Sequence, residues 1–264
     1  MRSLASDIGV SVGTMSAIEN GKVALTIDRL HRIADHLDIA PVHLLSPPLD
    51  DIDQADAHLS VSTPDPAADW RRFTDLELDP ALRAAVEVFT ELGYHGATMR
   101  LVASAADSSV AGIYHYHRSK QQLLVRLMDI TLTDLEWRVI AAGREGVTAA
   151  ARFGHMVEAL ALYHAVRRDL AFVSATETRS LEEPDRSRVI ASRRRLQQHL
   201  DDTAVQAVAD GDFATTDPRS TARAVATLCM ALPYWFSSAG PLTPAQVARQ
   251  YADHARAMML VQLS

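Results

Sequence analysis

The sequence has little that would suit a secreted or membrane protein. Its one cysteine, Cys229, cannot form a disulfide within the chain. It has no run of 18 or more apolar residues, and its first ten residues, MRSLASDIGV, lack the apolar stretch of a signal peptide. These absences argue against a disulfide-stapled fold and against a membrane partner, and they predict a cytoplasmic protein.

Sequence signatures of enzymes are also scarce. The chain has no HExxH or CxxC motif and no glycine-rich phosphate loop. We therefore expect no catalytic residues, no metal and no cofactor. The net charge of −7 further argues against a protein that coats nucleic acid by bulk electrostatics.

Most of the chain shows helical periodicity, and alternating runs typical of β-strands are nearly absent, which predicts an all-α fold. The exception is 47–75, where four prolines and seven aspartates accompany only two arginines. This composition predicts a flexible acidic linker. We expect a small helical domain at 1–46, the linker at 47–75, a DNA-binding domain at 76–122 and a larger helical domain at 123–264. The long helices are predicted at about 119–142, 148–167, 185–210, 218–238 and 244–262.

Two short apolar segments, TMRLVASAA and SSVAGIYHYH, lie between Gly93 and the long helix predicted from 119. Gly93 can end the preceding helix. Thr98 can cap the first segment, and Ser108 or Ser109 can cap the second. Two short helices joined by a tight turn form a helix-turn-helix, whose second helix reads the major groove of DNA.

Residues 84–128, AAVEVFTELGYHGATMRLVASAADSSVAGIYHYHRSKQQLLVRLM, resemble the DNA-binding domain of the TetR family of repressors. The residues that carry the resemblance are Phe89, Gly93, Tyr94, Thr98, Ala103, Ala106, Ile113, Tyr114, Tyr116, Ser119, Lys120, Leu123 and Leu124. The resemblance makes about 109–115 the recognition helix. It implies phosphate contacts from Thr98, Tyr116 and Lys120. The full DNA-contacting set that it implies is Thr98, Ser109, Val110, Gly112, Tyr114, His115, Tyr116 and Lys120.

The segment also departs from the family's usual residues. Asp107 stands where glycine is common, Val110 where lysine is frequent and Gly112 where threonine is frequent, and His117 replaces the usual phenylalanine. Val110 offers only apolar contact to a base, and Gly112 offers none. We therefore expect modest intrinsic DNA affinity from this domain.

The histidines of IYHYH raise the alternative of a metal site. His115 and His117 are two residues apart, so on a helix they point to different faces, whereas a helical metal pair needs i, i+4 spacing. No cysteine or carboxylate stands nearby in the sequence at ligand spacing. We therefore expect no metal here.

The front of the chain resembles a second family. Residues 3–45 are similar to the Cro/phage-repressor (XRE) type of helix-turn-helix, through landmarks such as Ser11, the run Ile18–Gly21 and Leu30. The alternative is a helical subdomain that makes only protein contacts. Such a DNA-binding domain normally begins with one more helix, so we expect Met1 to be an internal methionine or a start assigned too late. The DNA-contacting residues implied are Ser11, Val12, Thr14, Ser16 and Asn20.

The last 136 residues, 129–264, are apolar and helical throughout. The TetR resemblance implies an effector pocket here and a homodimer formed through the last two helices. The stretch ALPYWFSSAGPLTPAQVARQYADHA is similar to the end of family members that sense acyl-CoA thioesters or other lipid and sterol products. Pro233 should bend its helix and make room for a cavity. The candidate ligand-binding residues are Met156, Leu160, Tyr163, Phe172, Arg194, Met230, Tyr234 and Trp235.

For some of these candidates a purely structural role is the alternative to ligand binding. At least two of Tyr234, Trp235 and Phe236 are expected to be core or dimer-interface residues. The run Arg193–Arg195 can meet the phosphates of a CoA ligand, but such a run is more often a solvated face balanced by nearby acids.

The sequence as a whole predicts a ligand-responsive repressor that carries two different DNA-binding domains. Its partners would be an operator DNA, a second copy of the chain and a small hydrophobic effector such as an acyl-CoA. A helical protein-interaction adaptor is the alternative, and an enzyme is a weaker one.

Overall fold

The computed structural model describes residues 9–19, 23, 26–37 and 68–260. Throughout these residues the regular structure is helical and contains no strand, which confirms the all-α prediction. The described part of the chain falls into two compact units. One holds 107–118 and the described residues up to 37, and the other holds 68–106 and 119–260. No helix among the described residues is long and apolar enough to cross a bilayer.

The first unit contains α1 (Val12–Glu19), α2 (Ile27–Leu37) and α5 (Val110–Tyr116). Thr26 caps α2, with the Arg29 amide donating to its Oγ1 at 3.4 Å. Leu30, Ile33 and Ala34 are buried along one face of α2, which is the apolar face expected from their spacing.

The second unit holds the remaining helices. They are α3 (Pro80–Gly96), α4 (Met99–Ala105), α6 (Lys120–Glu145), α7 (Ala149–Val166), α8 (Arg168–Glu177), α9 (Asp185–Ala209), α10 (Pro218–Met230), α11 (Leu232–Trp235) and α12 (Pro244–Leu260). A 3₁₀ turn, Thr178–Ser180, follows α8 directly. Gly93 interrupts α3 with φ +67°, a conformation that suits glycine, so it ends the regular helix as predicted.

Helix α7 is the centre of the second unit. It contacts α6, α8, α9, α10 and α12, and most of its residues are buried, including Val157, Leu160 and Ala161. Its largest buried side chains are those of Phe153 and Tyr163, both fully enclosed. Burial of an aromatic side chain stabilises a fold by about 2 kcal/mol, so α7 supplies much of the core energy.

Two helix boundaries differ from the sequence-based prediction. No helix is predicted at 168–184, yet α8 begins at Arg168, with a single residue between it and the end of α7. Its start has no side-chain cap hydrogen bond that the sequence could have indicated. The helix predicted at 218–238 stops at Met230 and is followed by the single turn α11. Pro233 lies in that turn, and its carbonyl accepts from Arg168 Nε at 2.9 Å, so the break opens a backbone acceptor to α8.

The end of the predicted linker is firmly packed. Trp70 is 1% exposed, and its Nε1 donates to Glu145 Oε1 at 2.8 Å. Arg71 pairs with the same glutamate, Nη1 to Oε2, at 2.8 Å. The prediction that all of 47–75 is a flexible linker therefore fails for its last residues, because a buried tryptophan anchors them to the helical unit.

A buried ion pair lies under this anchored segment. Arg138 Nε donates to Asp134 Oδ1 at 2.8 Å, and both residues are buried. Nη1 of Arg138 also donates to the backbone carbonyls of Trp70, at 2.5 Å, and Arg72, at 3.0 Å. The guanidinium carbon lies 3.5 Å from the centre of the Phe73 ring. The arginine thus has partners for its charge and for its donors.

Candidate nucleic-acid interface and effector cavity

Helices α4 and α5 carry the predicted helix-turn-helix, and local chemistry sets their ends. Thr98 caps α4, its Oγ1 accepting from the Leu101 amide at 3.2 Å. Ser109 caps α5, its Oγ accepting from the Gly112 amide at 2.9 Å. Between them Asp107 adopts φ +49°, a left-handed conformation that aspartate tolerates better than most residues. Asp107 can therefore replace the glycine common at this turn.

Helix α5 presents several of the predicted DNA-contacting side chains to solvent. Tyr116 is 68% exposed and Tyr114 is 46% exposed, which is unusual for large aromatic side chains. His115 is also exposed, and its ring lies edge-on to that of Tyr116 with 4.8 Å between centroids. Val110 and Gly112 are half-buried. The exposed tip of α5 is therefore aromatic and polar rather than strongly basic.

Steric crowding also explains why position 112 is a glycine. A Cβ at this position would lie 2.8 Å from Ser108 Oγ and 3.2 Å from Ser109 Oγ. Any larger residue would displace one of these hydroxyls, and Ser109 Oγ is the cap of α5. The glycine therefore allows two serines to crowd the first turn of the helix.

Lys120 has internal partners in addition to its predicted phosphate role. Its Nζ donates to the carbonyls of Tyr94, at 2.6 Å, and Ala97, at 2.7 Å, which lie just before Thr98. It also lies 4.3 Å from the centre of the Tyr94 ring. Burial lowers its pKa, although Glu177 acts in the opposite direction. An ammonium has three donors, so one remains for a phosphate, and that contact stays a prediction.

The front helix-turn-helix is described in part. Ser11 caps α1, its Oγ accepting from the Thr14 amide at 3.0 Å. The Thr14 hydroxyl lies 2.9 Å from the same oxygen. The side chains of Val12 and Ser16, and the whole of Asn20, lie outside the described residues.

The run GVSVG at 9–13 has the spacing of a hydrolase nucleophile motif and needs a separate account. That motif places its serine on a sharp turn from a strand into a helix. Ser11 instead caps α1, and no strand is found in the described ranges of the chain. Its context is therefore that of a helix N-cap.

Metal-ligating side chains do not gather at α5. His115 is exposed and His117, just after the helix, is fully buried. Across the described residues no group of three or more His, Cys, Asp or Glu side chains is placed to hold a metal ion.

A cavity of about 180 Å³ lies among α6 to α10 of the second unit. Most of its wall is apolar, and the polar side chains gather on α6 to α9. The apolar lining residues are Leu132, Leu135, Leu160, Ala171, Ala175, Leu196, Leu200, Ala226 and Met230. The polar ones are Thr131, His164, Ser174, Arg193 and Gln197. A mostly apolar pocket with a few grouped polar atoms is the usual form of a small-molecule site.

Arg193 and His164 set the electrostatics of the cavity. Burial lowers the pKa of Arg193, and nothing among the described residues compensates with a carboxylate. Burial also lowers the pKa of His164 to about 4, helped by the positive charge of Arg193. The neutral ring donates from Nδ1 to the Leu160 carbonyl at 2.7 Å, which leaves Nε2 as an acceptor.

Helix α8 connects the cavity to the end of α3. Ser174 on α8 lines the cavity, and its carbonyl accepts from Thr178 Oγ1 at 2.9 Å. One turn further, Ser180 Oγ donates to Glu177 Oε2 at 2.9 Å and lies 3.4 Å from His95 Nε2. A change in the position of α8 would therefore be felt directly at the end of α3.

Comparison with known families agrees with this geometry. Residues 81–127 match the model for bacterial regulatory proteins of the tetR family, and 146–259 match the tetracyclin repressor-like C-terminal domain. The chain belongs to the TetR family of regulators. Residues 1–50 of this TetR-family protein also match the Cro/C1-type HTH DNA-binding domain, which confirms the second resemblance.

Solved structures of TetR-family proteins share the fold. A regulator from Rhodococcus RHA1 is 27% identical over 68% of this chain and 95% of its own, with a TM-score of 0.64. KstR2, the ketosteroid transcriptional regulator of Mycobacterium tuberculosis, is 20% identical over 71% of this chain and 97% of its own, with a TM-score of 0.66. AibR, solved with isovaleryl coenzyme A and operator DNA, is 23% identical over 68% of this chain and 96% of its own, with a TM-score of 0.60. No curated protein matches the sequence of the chain.

The cavity of this TetR-family protein includes only some of the residues predicted to bind its ligand. Leu160 and Met230 line it. The others lie elsewhere: Met156 and Tyr163 are in the core, Phe172 packs against Tyr234 with 5.3 Å between ring centroids, and Trp235 stacks on Tyr251 at 6.4 Å. Tyr234 and Trp235 are 60% and 55% exposed, whereas Phe236 is buried.

The basic run contributes a different arginine from the one predicted. Arg194 is exposed and does not line the cavity, whereas Arg193 does. A signal for this was present in the sequence. Arg193, Leu196 and Leu200 have i, i+3, i+7 spacing, so the first arginine of the run shares the apolar face of α9, and the second points away from it.

Proposed function

We propose that this TetR-family protein represses its target genes until a small hydrophobic effector releases it from operator DNA. The observation that supports this most is the double role of α8. Ser174 of this helix lines the cavity. Its last residue, Glu177, accepts from Ser180 in the following 3₁₀ turn, and Ser180 Oγ lies 3.4 Å from His95 Nε2 on α3. A ligand that shifts α8 would therefore move the support of the DNA-binding helices.

The proposed DNA contacts follow the two helix-turn-helix segments. The aromatic tip of α5, with Tyr114, His115 and Tyr116, would meet the DNA, and Ser109, Val110 and Gly112 would lie nearest the base edges. Thr98 and the third donor of Lys120 would hold phosphates. At the front, Ser11, Val12, Thr14, Ser16 and Asn20 would contribute a second set. A second set of DNA contacts would compensate for the few base contacts that Val110 and Gly112 can make.

The proposed assembly is a homodimer through α10 and α12. Leu228 on α10 and Leu260 on α12 are 49% and 59% exposed, which is costly for apolar side chains in a monomer. A groove between these helices is lined by Val225, Leu228, Tyr251, His254, Ala255 and Met258. If a second copy covers this groove, the homodimer has the two recognition helices that a two-fold operator requires.

The effector we propose is a small molecule with a hydrophobic body, and an acyl-CoA from lipid or sterol metabolism is one way to deliver an acyl group to the cavity. The described complex of AibR with isovaleryl coenzyme A is the precedent in this fold. The protein would act in the cytoplasm, where operator DNA and metabolites meet, and without catalytic activity of its own.

The test is a gel-shift screen of genomic fragments with the purified chain at several salt concentrations. A specific site should emerge, with affinity that falls steeply as salt rises because phosphate contacts release counterions. Tyr116→Ala should weaken all fragments by a similar factor. Val147→Ala is the matched control, because Val147 is 93% exposed in the turn after α6 and belongs to neither helix-turn-helix.

The proposal is overturned if the chain binds no fragment above the nonspecific level. The adaptor alternative makes a different prediction. A chain with Lys120→Ala and Tyr116→Ala would then lose no partner, since protein contacts rather than phosphates would hold it.

A further inference from the structure

We propose that the effector of this cavity is a short-chain carboxylate whose head group is received by Arg193. The proposal rests on the cavity being the effector site, as proposed above. It adds the chemical class of the ligand: one anionic carboxylate on an apolar body, with about six to eight carbons in all.

The first argument is the state of the guanidinium. Nη2 of Arg193 donates to the carbonyl and the hydroxyl of Ser174, at 2.5 and 2.8 Å. Its Nε is buried and has no hydrogen-bond partner among the described residues. No carboxylate within the described ranges pairs with it, and only desolvation acts on its pKa. A largely desolvated cation without a counter-charge is unfavourable, and an incoming anion would reduce that penalty.

The second argument is geometric. A guanidinium offers its donors in a planar fork that matches the two oxygens of a carboxylate. Nη2 of Arg193 is held by Ser174, and Nε, whose N–H lies on the same edge of the guanidinium, has no hydrogen-bond partner among the described residues. Ser174 therefore fixes the orientation of the fork, and the ligand would complete its hydrogen bonds.

The third argument is the chemistry of the rest of the wall. Beyond Arg193 the cavity presents leucine and alanine side chains, with Leu132, Leu135 and Leu200 among them. Such a surface favours a hydrocarbon over a sugar or a polyphosphate. A carboxylate with an aliphatic or aromatic body satisfies both ends.

The fourth argument is volume. A cavity of about 150 Å³ holds a benzene molecule, so 180 Å³ accommodates a body only slightly larger. The nucleotide and pantetheine parts of a CoA thioester exceed this volume several-fold. A short free acid can therefore lie wholly within the cavity, whereas the nucleotide and pantetheine parts of a thioester would have to lie outside it. The acid also brings the negative charge that a thioester carbonyl lacks at this position.

The experiment is calorimetric titration of the full chain with straight-chain carboxylates of four to ten carbons, with 1-hexanol and with hexanoyl-CoA. Affinity should be greatest near six to eight carbons, and hexanoate should bind better than 1-hexanol and hexanoyl-CoA. In Arg193→Met, hexanoate affinity should fall by about 10- to 100-fold, the range for hydrogen bonds to a charged group. The affinity of 1-hexanol should stay the same.

Arg194→Met is the matched control, because the same substitution one residue later removes an exposed charge outside the cavity. It should leave hexanoate affinity unchanged. Arg193→Lys should recover part of the affinity, and circular dichroism should show that all three variants are folded. The proposal is overturned if no carboxylate binds, if Arg193→Met binds hexanoate as well as the parent does, or if hexanoyl-CoA binds more tightly than hexanoate.

These titrations contain no DNA, so they separate this proposal from the proposed function. Carboxylate binding that depends on Arg193, in a protein that finds no operator, would support the site and overturn the repressor. A specific operator bound by a protein that ignores every carboxylate would do the reverse.

Discussion

Two arginines of the same helical unit, Arg138 buried and Arg193 half-buried, have surroundings that differ in kind. Arg138 on α6 pairs with Asp134, donates to two backbone carbonyls and lies over the Phe73 ring. Arg193 on α9 donates to Ser174 alone and, within the described residues, has no carboxylate partner. The fold itself supplies a counter-charge for Arg138, whereas a ligand would supply the counter-charge for Arg193.

The difference explains which of the two can serve as a sensor. A group whose charge is already compensated gains little from a new partner, because the new contact only replaces an old one. A buried charge without a partner gains the most from an anion. The fold thus uses one arginine to fix the segment 70–73 on α6 and keeps another available in the cavity.

The largest effect should come from breaking the completed pair. Arg138→Met removes the charge that compensates Asp134 and the donors to the Trp70 and Arg72 carbonyls. We expect a loss of about 3–5 kcal/mol in the free energy of unfolding, measured by urea denaturation at pH 7. Adding Asp134→Leu should restore part of it, since no unpaired carboxylate then remains. A loss below about 1 kcal/mol in Arg138→Met would contradict the assigned role.

The next effect concerns His164, whose pKa reports on the cavity. Its pKa is about 4 in the folded protein against 6.5 for a free histidine, so between these values the unfolded state binds a proton that the native state does not. The free energy of unfolding should therefore fall as pH decreases from 6.5 towards 4, by about 2 kcal/mol at pH 5. His164→Gln should lose this part of the pH dependence in urea denaturation at pH 7 and pH 5.

Arg193 sharpens that measurement, because its charge is a further cause of the lowered pKa of His164. In Arg193→Met the His164 pKa should rise, as followed by NMR titration of the ring protons. An unchanged His164 titration would mean that Arg193 does not act on the cavity electrostatically.

The smallest effect should come from Arg193→Met on stability itself. The substitution removes a buried charge that has no carboxylate, and the Ser174 carbonyl keeps its bond from Thr178. We expect the free energy of unfolding to stay the same or to rise by about 1 kcal/mol, the opposite direction to Arg138→Met. A loss as large as that of Arg138→Met would show that Arg193 is structural as well.

Local signals predicted the ends of the DNA-binding helices well. Thr98, Ser109 and Ser119 cap α4, α5 and α6, as their positions before apolar runs indicate, and Gly93 ends the regular part of α3. These features depend on a few adjacent residues, so the sequence contains them in full. The DNA contacts predicted for this region stay predictions.

Long-range packing was harder to predict. Trp70 stands in a stretch whose prolines and aspartates indicate a linker, and only its contact with Glu145, 75 positions later, shows that it is anchored. Helix α8 begins without a capping side chain. The cavity depends on five helices, so its members could not be ranked from one sequence. The helical phase of Arg193 against Arg194 is the one part that could have been.

The bond between Lys120 and the carbonyls of Tyr94 and Ala97 has a mechanical consequence. Lys120 is the first residue of α6, and Thr131 in the cavity wall is on the same helix, about 17 Å further along at 1.5 Å per residue. Lys120 makes two hydrogen bonds to the junction of α3 and α4, so the start of α6 is tied to that junction. A tilt of α6 imposed at the cavity would therefore also displace the backbone just before Thr98.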